Sequence, residues 1–201
     1  MMPEAQSLIA ELDATLRRTS VSRQLEMLRN VTNLFLVSAK YLSGDQIAVF
    51  DDVMGRLIEK TEAPALVELS EKLAPLNTAP VNVIGRLSNN DDISVSGPIL
   101  EKSNLLNDQM LAEIAGTKRQ NLLVAIAGRP QVSEIVTDVL VERGNSEVAH
   151  KVVANTGASI SELGFVKLIG QAKNDKTLAA AIADRKDLPP ELIPFLKLAL
   201  A

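Results

Sequence analysis

The sequence predicts an all-α protein in which a few longer helices lead into a stack of short ones. From Val81 onward, nine short apolar segments begin near residues 81, 93, 108, 119, 133, 146, 160, 175 and 190, so successive starts lie 11 to 15 residues apart. That cadence suits short helices stacked in pairs, the pattern of a solenoid. Hydrophobic residues make up 46% of the 201 positions, enough for a substantial core. Aromatics are only 2%, and Leu, Ala, Val and Ile supply the apolar mass without the strict alternation that strands require.

The front third holds four longer helical candidates, residues 3–18, 21–40, 44–60 and 64–74. In the second, Leu25, Leu28, Val31, Leu34 and Phe35 form an apolar stripe that continues through Leu36 and Val37, as in a helix buried on more than one side. In the third, Ile47, Phe50, Met54, Leu57 and Ile58 repeat at helical spacing, with Asp51, Asp52, Arg56, Glu59 and Lys60 largely opposite. Ser43 to Gln46 has the form of a capping box before it. Pro64, Pro75 and Pro80 then punctuate the chain. Prolines stop helices and keep the preceding residue out of the helical region, so the boundary is expected at Pro75–Pro80. Residues 1–79 are read as an N-terminal helical bundle or the first part of the stack, and 80–201 as short-helix repeats.

Within the array, Gly116, Gly128, Gly144 and Gly157 stand where helices end, positions at which glycine is expected to supply a left-handed cap. Ser159 to Glu162 reads as a second capping box, and Pro189–Pro190 suits the first turn of the last helix. Helices this short are marginal alone, so each must bury a face on its neighbours. Starts 81, 93 and 108 map onto 133, 146 and 160 at offsets of 52, 53 and 52, which is two helix pairs. At offset 53, Leu87, Val95, Ile99 and Leu100 fall on Leu140, Val148, Val152 and Val153, sharing apolar character rather than chemistry.

Four stretches carry a wider resemblance: SRQLEMLRNVTNLFL (22–36), SGDQIAVFDDVMGRLIE (43–59), LAPLNTAPVNVIGRLSNNDDISVSGPIL (73–100) and AIAGRPQVSEIVTDVLVERGNSEVAHKVVANTGASISELGF (125–165). Through them the chain resembles a bacterial, largely alphaproteobacterial family known as a domain of unknown function. The resemblance implies a HEAT-like helical repeat, an α-α superhelix, and no activity. It also implies that natural members run on past this length. The apolar ending PELIPFLKLALA, which has no polar capping repeat, agrees with that expectation.

Charge and composition narrow the chemistry. The net charge of −4 and pI near 5.2 provide no positive field to gather phosphates, which argues against nucleic acid as a partner. Without cysteine there are no disulfides, thiolate nucleophiles or Cys-bound metals. The N-terminus carries Glu4, Glu11 and Asp13 and no apolar run of signal length, and no later stretch reaches membrane-spanning length, so the expected location is cytoplasmic.

His150 is the one histidine, with Glu147 three residues earlier, close enough on a helix for the carboxylate to meet the imidazole. A lone helical His with no second His or Cys argues against a zinc or copper site. Asn89, Asn90, Asp91 and Asp92 offer oxygens but lack the glycine and distal glutamate of a calcium loop, and read as a turn with an N-cap before Ile93. Asp51 and Asp52 diverge by about 100° on a helix and read as a solvated face rather than a general acid/base pair. No catalytic, cofactor-binding or metal-binding residue is assigned.

The remaining candidate is basic. No acid occurs between Glu113 and Glu134, while Lys118, Arg119 and Arg129 do, and Arg143 follows one segment later. Lined along one edge of a stack, these four would grip carboxylates or phosphates of a partner. Otherwise they are helix-end cations on C-terminal carbonyls. Either role orders the guanidinium.

The functional expectation is a non-enzymatic protein–protein interaction scaffold or regulatory module. An alternative is a HEAT-like enzyme acting on nucleic acid, resembling the helical-repeat DNA glycosylases. Such enzymes need a basic concave face and aromatics to hold an extruded base, and the acidic pI and lack of Trp speak against that. A third reading is homo-oligomerisation through the N-terminal helices and the apolar C-terminal edge.

Overall fold

A computed structural model describes residues 20–59 and 61–200. The helix expected over 3–18 lies outside the described residues. Among them are twelve α-helices: α1 (Val21–Ser38), α2 (Gly44–Ile58), α3 (Ala63–Leu73), α4 (Val81–Ser88), α5 (Ile93–Lys102), α6 (Asp108–Thr117), α7 (Gln120–Ala127), α8 (Glu134–Arg143), α9 (Ser146–Ala154), α10 (Glu162–Ala172), α11 (Lys176–Ala183) and α12 (Ile193–Leu200). No β-strand occurs among the described residues. An isolated parallel bridge joins Val132 to Ala158.

Helix starts follow the predicted cadence, and half of them are set by chain-local side-chain caps. Ser43 and Gln46 complete the capping box of α2, and Asp92, Asn107, Asn145, Ser161 and Asp175 each accept a backbone N–H at the start of their helix. The box expected at Ser159 is displaced: Ser161 caps α10, and Ser159 pairs through its backbone with Val132. Pro190 opens a single 3₁₀ turn, Pro190–Leu192, that runs into α12.

The left-handed caps expected at glycine do not occur. No described glycine has a positive φ: the C-cap Gly128 is right-handed helical and the C-cap Gly144 is extended. At Gly157 it is space that matters, since a Cβ there would stand 1.9 Å from the Pro130 carbonyl oxygen.

The chain divides into two compact units, one holding the described residues up to Ile99 with Ser103–Leu105, the other Leu100–Lys102 with Leu106 onward. The division thus falls at α5 rather than at Pro75–Pro80. In the first unit α2 packs on α1 and α4, and α3 on α4. Its core includes Leu28, Phe35, Met54, Leu57, Leu73 and Ile84, with Phe35 and Phe50 edge-to-face at 5.3 Å. Asp51 explains why α4 belongs to this unit. Pro80, the N-cap of α4, has no side chain able to cap, and the Asp51 carboxylate accepts from the N–H groups of Asn82 and Val83 at 3.0 and 2.9 Å. Asp51 is therefore buried, not part of a solvated face.

In the second unit each helix packs on the helix two places ahead: α6 on α8, α8 on α10 and α10 on α12 form one layer, α7 on α9 and α9 on α11 the other. The core between them includes Leu122, Leu123, Ile126, Leu140, Val148 and Leu168. All eight residues paired at offset 53 are buried, so the internal echo marks core positions.

Candidate functional site

Three features of the second unit bring functional side chains together. The first is the set of cations. Arg129 follows the C-cap of α7, is 8% exposed, and donates from Nη1 to the Leu100 carbonyl at 2.6 Å. Burial lowers its pKa from the usual guanidinium range, partly offset by Asp108. Arg143 ends α8 and donates to the carbonyls of Ala115 and Lys118 at the C-terminus of α6. Helix C-termini leave carbonyls without intrahelical partners, and each arginine supplies the end of an element one helix pair earlier. Arg86 does the same for Gly55, and Arg185 for Val153, Asn155 and Ala158. The open basic edge expected of Lys118, Arg119, Arg129 and Arg143 is therefore not formed as one surface. Arg129 is inside, Arg143 is bound to backbone, Lys118 is half-buried, and Arg119 is exposed.

The second feature centres on His150. Its carboxylate partner is Asp175, the N-cap of α11, 2.8 Å from Nε2. Ser146 donates to the same oxygen, Asp175 Oδ2, at 3.0 Å, while Oδ1 accepts from Thr177 Oγ1 at 2.6 Å and from the Leu178 N–H at 3.0 Å. These hydrogen bonds, that from Thr177 foremost, hold the Asp175 carboxyl far below the usual aspartate range. Ser, His and Asp thus meet, but around the wrong hub for a nucleophile relay: the serine hydroxyl and the imidazole both hydrogen-bond to the carboxylate and not to each other. Beside the cluster an open cleft of about 390 Å³ is lined by Ser146, Gln171, Asn174 and Asp175, among others. Its chemistry is that of hydrogen-bonding amides and a saturated carboxylate. Sequence reasoning paired His150 with Glu147 because both lie on α9, whereas Asp175 stands on a different element.

The third feature was not legible as a site. On the outer face of α8 and α10, Ile135, Leu163 and Val166 are 61%, 60% and 47% exposed. Val136, Thr137, Leu140 and Val141 of α8 occupy the same buried positions as Gly164, Phe165, Leu168 and Ile169 of α10, which makes Ile135 the counterpart of Leu163. The helices run side by side in one direction: Asp138 accepts from Ser161 at 2.6 Å, and Glu142 pairs with Lys167. Ile135 of α8 and Leu163 and Val166 of α10 therefore lie on one exposed face of two neighbouring helices, Ile135 about one helical turn behind Leu163, a short oblique row. Phe195 and Leu198 of α12, and Leu34, Val37 and Tyr41 at α1 and just beyond it, are also exposed.

Asn90 and Asp92 form the turn and cap read from sequence: Asn90 Oδ1 accepts from the Asp92 N–H, and Asp92 accepts from Ser94. Among the described residues, no group of three His, Asp or Glu side chains is arranged to hold a metal ion, and no helix is long and apolar enough to cross a membrane.

No curated protein and no solved structure matches the chain. One family model does, over residues 95–196, just over half of the sequence and spanning the helices from α5 into α12. By that match the chain belongs to the bacterial family described as "Uncharacterised protein conserved in bacteria (DUF2336)".

Proposed function

We propose that this chain is a non-enzymatic protein-interaction module, a HEAT-like helical repeat whose outer layer receives a segment of another protein. The observation that carries the reading is the row of Ile135, Leu163 and Val166, large apolar side chains left in solvent on one face of two stacked helices. Isolated exposed apolar residues are ordinary, but a row on a rigid two-layer support is the form of a docking surface. The i-to-i+2 packing supports it as well, because a stack of short helices supplies extended surface more readily than an enclosed cavity.

The test is affinity recovery from the native bacterium with the tagged full chain and an Ile135→Ser/Leu163→Ser/Val166→Ser variant. Burying one such side chain is worth ~1.5–3 kcal/mol, so losing three should reduce recovery of a direct partner by at least about tenfold. Equal melting temperatures would establish that both proteins are folded. Recovery of nucleic acid, or of proteins only in equal amounts by both chains, would count against the reading.

A further inference from the structure

The charges around the row identify the chemistry of its occupant. The helices of the layer that holds the row, α6, α8, α10 and α12, carry Asp108, Glu113, Glu134, Asp138, Glu142 and Glu162 against Arg143, Lys167 and Lys197. Lys167 and Glu142 balance one another, and exposed Arg143 turns Nη1 to the backbone of α6, so the acids still exceed the bases in this layer. The other layer, α7, α9 and α11, carries Glu147 against Lys151 and Lys176. Sign is thus separated between the layers, with the acid on the side of the apolar row. Helix stability accounts for part of this, since Asp108, Glu134 and Glu162 stand in first turns where the helix dipole favours a negative charge. It does not account for Asp138 and Glu113, farther along their helices, whereas Glu142, in the last turn of α8 where the dipole opposes it, is balanced by Lys167.

Spacing adds the form. Helices packed side by side have axes about 8–10 Å apart, and the Ser161–Asp138 and Lys167–Glu142 contacts set Ile135 about one turn behind Leu163, so the two are separated by about 10–12 Å. On an α-helix, residues i and i+7 share a face and lie about 10.5 Å apart along the axis.

We infer that the occupant of this row is a basic amphipathic helix of a partner protein, its apolar residues at i and i+7 resting on Ile135 and Leu163 and its Lys and Arg side chains facing Glu134, Asp138 and Glu162. The inference rests on the interaction-module reading above and adds the partner's sign and secondary structure. Apolar anchors supply the affinity and the flanking charges the selectivity, as in helix-in-groove recognition.

The experiment selects random 20-residue peptides, displayed on phage, against the immobilised full chain, then titrates the enriched peptides by fluorescence anisotropy. The expected peptides are net positive with apolar residues at i and i+7. Their binding should weaken at least about tenfold on Leu163→Ser, again on Glu134→Gln/Glu162→Gln, and also when salt is raised from about 0.05 to 0.3 M, a readout on the wild type that needs no variant. Lys151→Gln/Lys176→Gln, on the opposite layer, should leave it unchanged. Enriched peptides that are neutral or acidic yet sensitive to Leu163→Ser would overturn the inference and leave the interaction-module reading standing. So would a concentration-dependent dimer, seen by light scattering, that Leu163→Ser dissociates, because it would place a second copy on the row. No enrichment, or binding indifferent to Leu163→Ser, would overturn both.

Discussion

Asp51 caps a helix to which it does not belong. Its two oxygens receive the Asn82 and Val83 N–H groups from a position in the middle of α2, completing an N-terminus that Pro80 leaves open. Asp51→Ala should lower stability by ~1–2 kcal/mol in a urea titration, with Asp51→Asn retaining part of the loss as a weaker acceptor. An Asp51→Ala protein as stable as the wild type would show that the cap carries no weight. Nothing near Asp51 in the chain reveals this role, because helical periodicity locates a side chain relative to its own helix only. Gly157 teaches the same lesson: its position at a segment end was legible, but the reason for a missing Cβ, the Pro130 carbonyl, lies elsewhere in the fold.

At the scale of elements, caps chosen from adjacent residues were readable, and ties between helices were not. Ser43 with Gln46, and Asp92, were identified from sequence. Asp175 is the N-cap of α11 and also binds His150 and Ser146 of α9, so it fastens two helices that stack. Its folded pKa lies below that of an unfolded aspartate, near 3.9. The folded state therefore favours the ionised carboxylate. The stabilisation is fully present above about pH 5 and fades as pH falls below about 4 through the folded pKa. Asp175→Asn should melt below the wild type at neutral pH, and the gap should close as the melts are taken to acidic pH. A gap independent of pH would mean that the carboxylate's charge is not what matters.

Across the whole second unit, the arginines extend the same principle into a repeat of long-range ties. Arg185 donates to the carbonyls of Val153, Asn155 and Ala158, pairs with Asp187 at 2.6 Å, and stands 5.9 Å from the centre of the Phe165 ring. Its carboxylate partner, Asp187, is held below the usual aspartate range by that guanidinium. In a stack where each helix touches only near neighbours, damage spreads little along the array. Arg185→Ala should raise amide hydrogen exchange in α9 to α12 by at least about tenfold while leaving α6 and α7 close to wild type. Uniform loosening of the whole unit would show that it behaves as one cooperative core instead.

Sequence alone determined the all-α class, the starts of nearly all the described helices, the turn at Asn90–Asp92 and the core positions related at offset 53. These follow from backbone caps and from apolar spacing within one helix, both local to a few residues. Tertiary structure decided what the charged residues do. The partners of Asp51, Arg129, Arg143, His150 and Arg185 lie 25 to 32 residues away for most of their bonds, a separation fixed by stacking one helix pair on the next. The same stacking buried Arg129, tied Arg143 to the backbone of α6, and put Ile135 and Leu163 on one exposed face with an acidic margin. A helix's sequence states which of its faces is apolar, but whether that face meets a neighbour or water depends on where the next pair is laid.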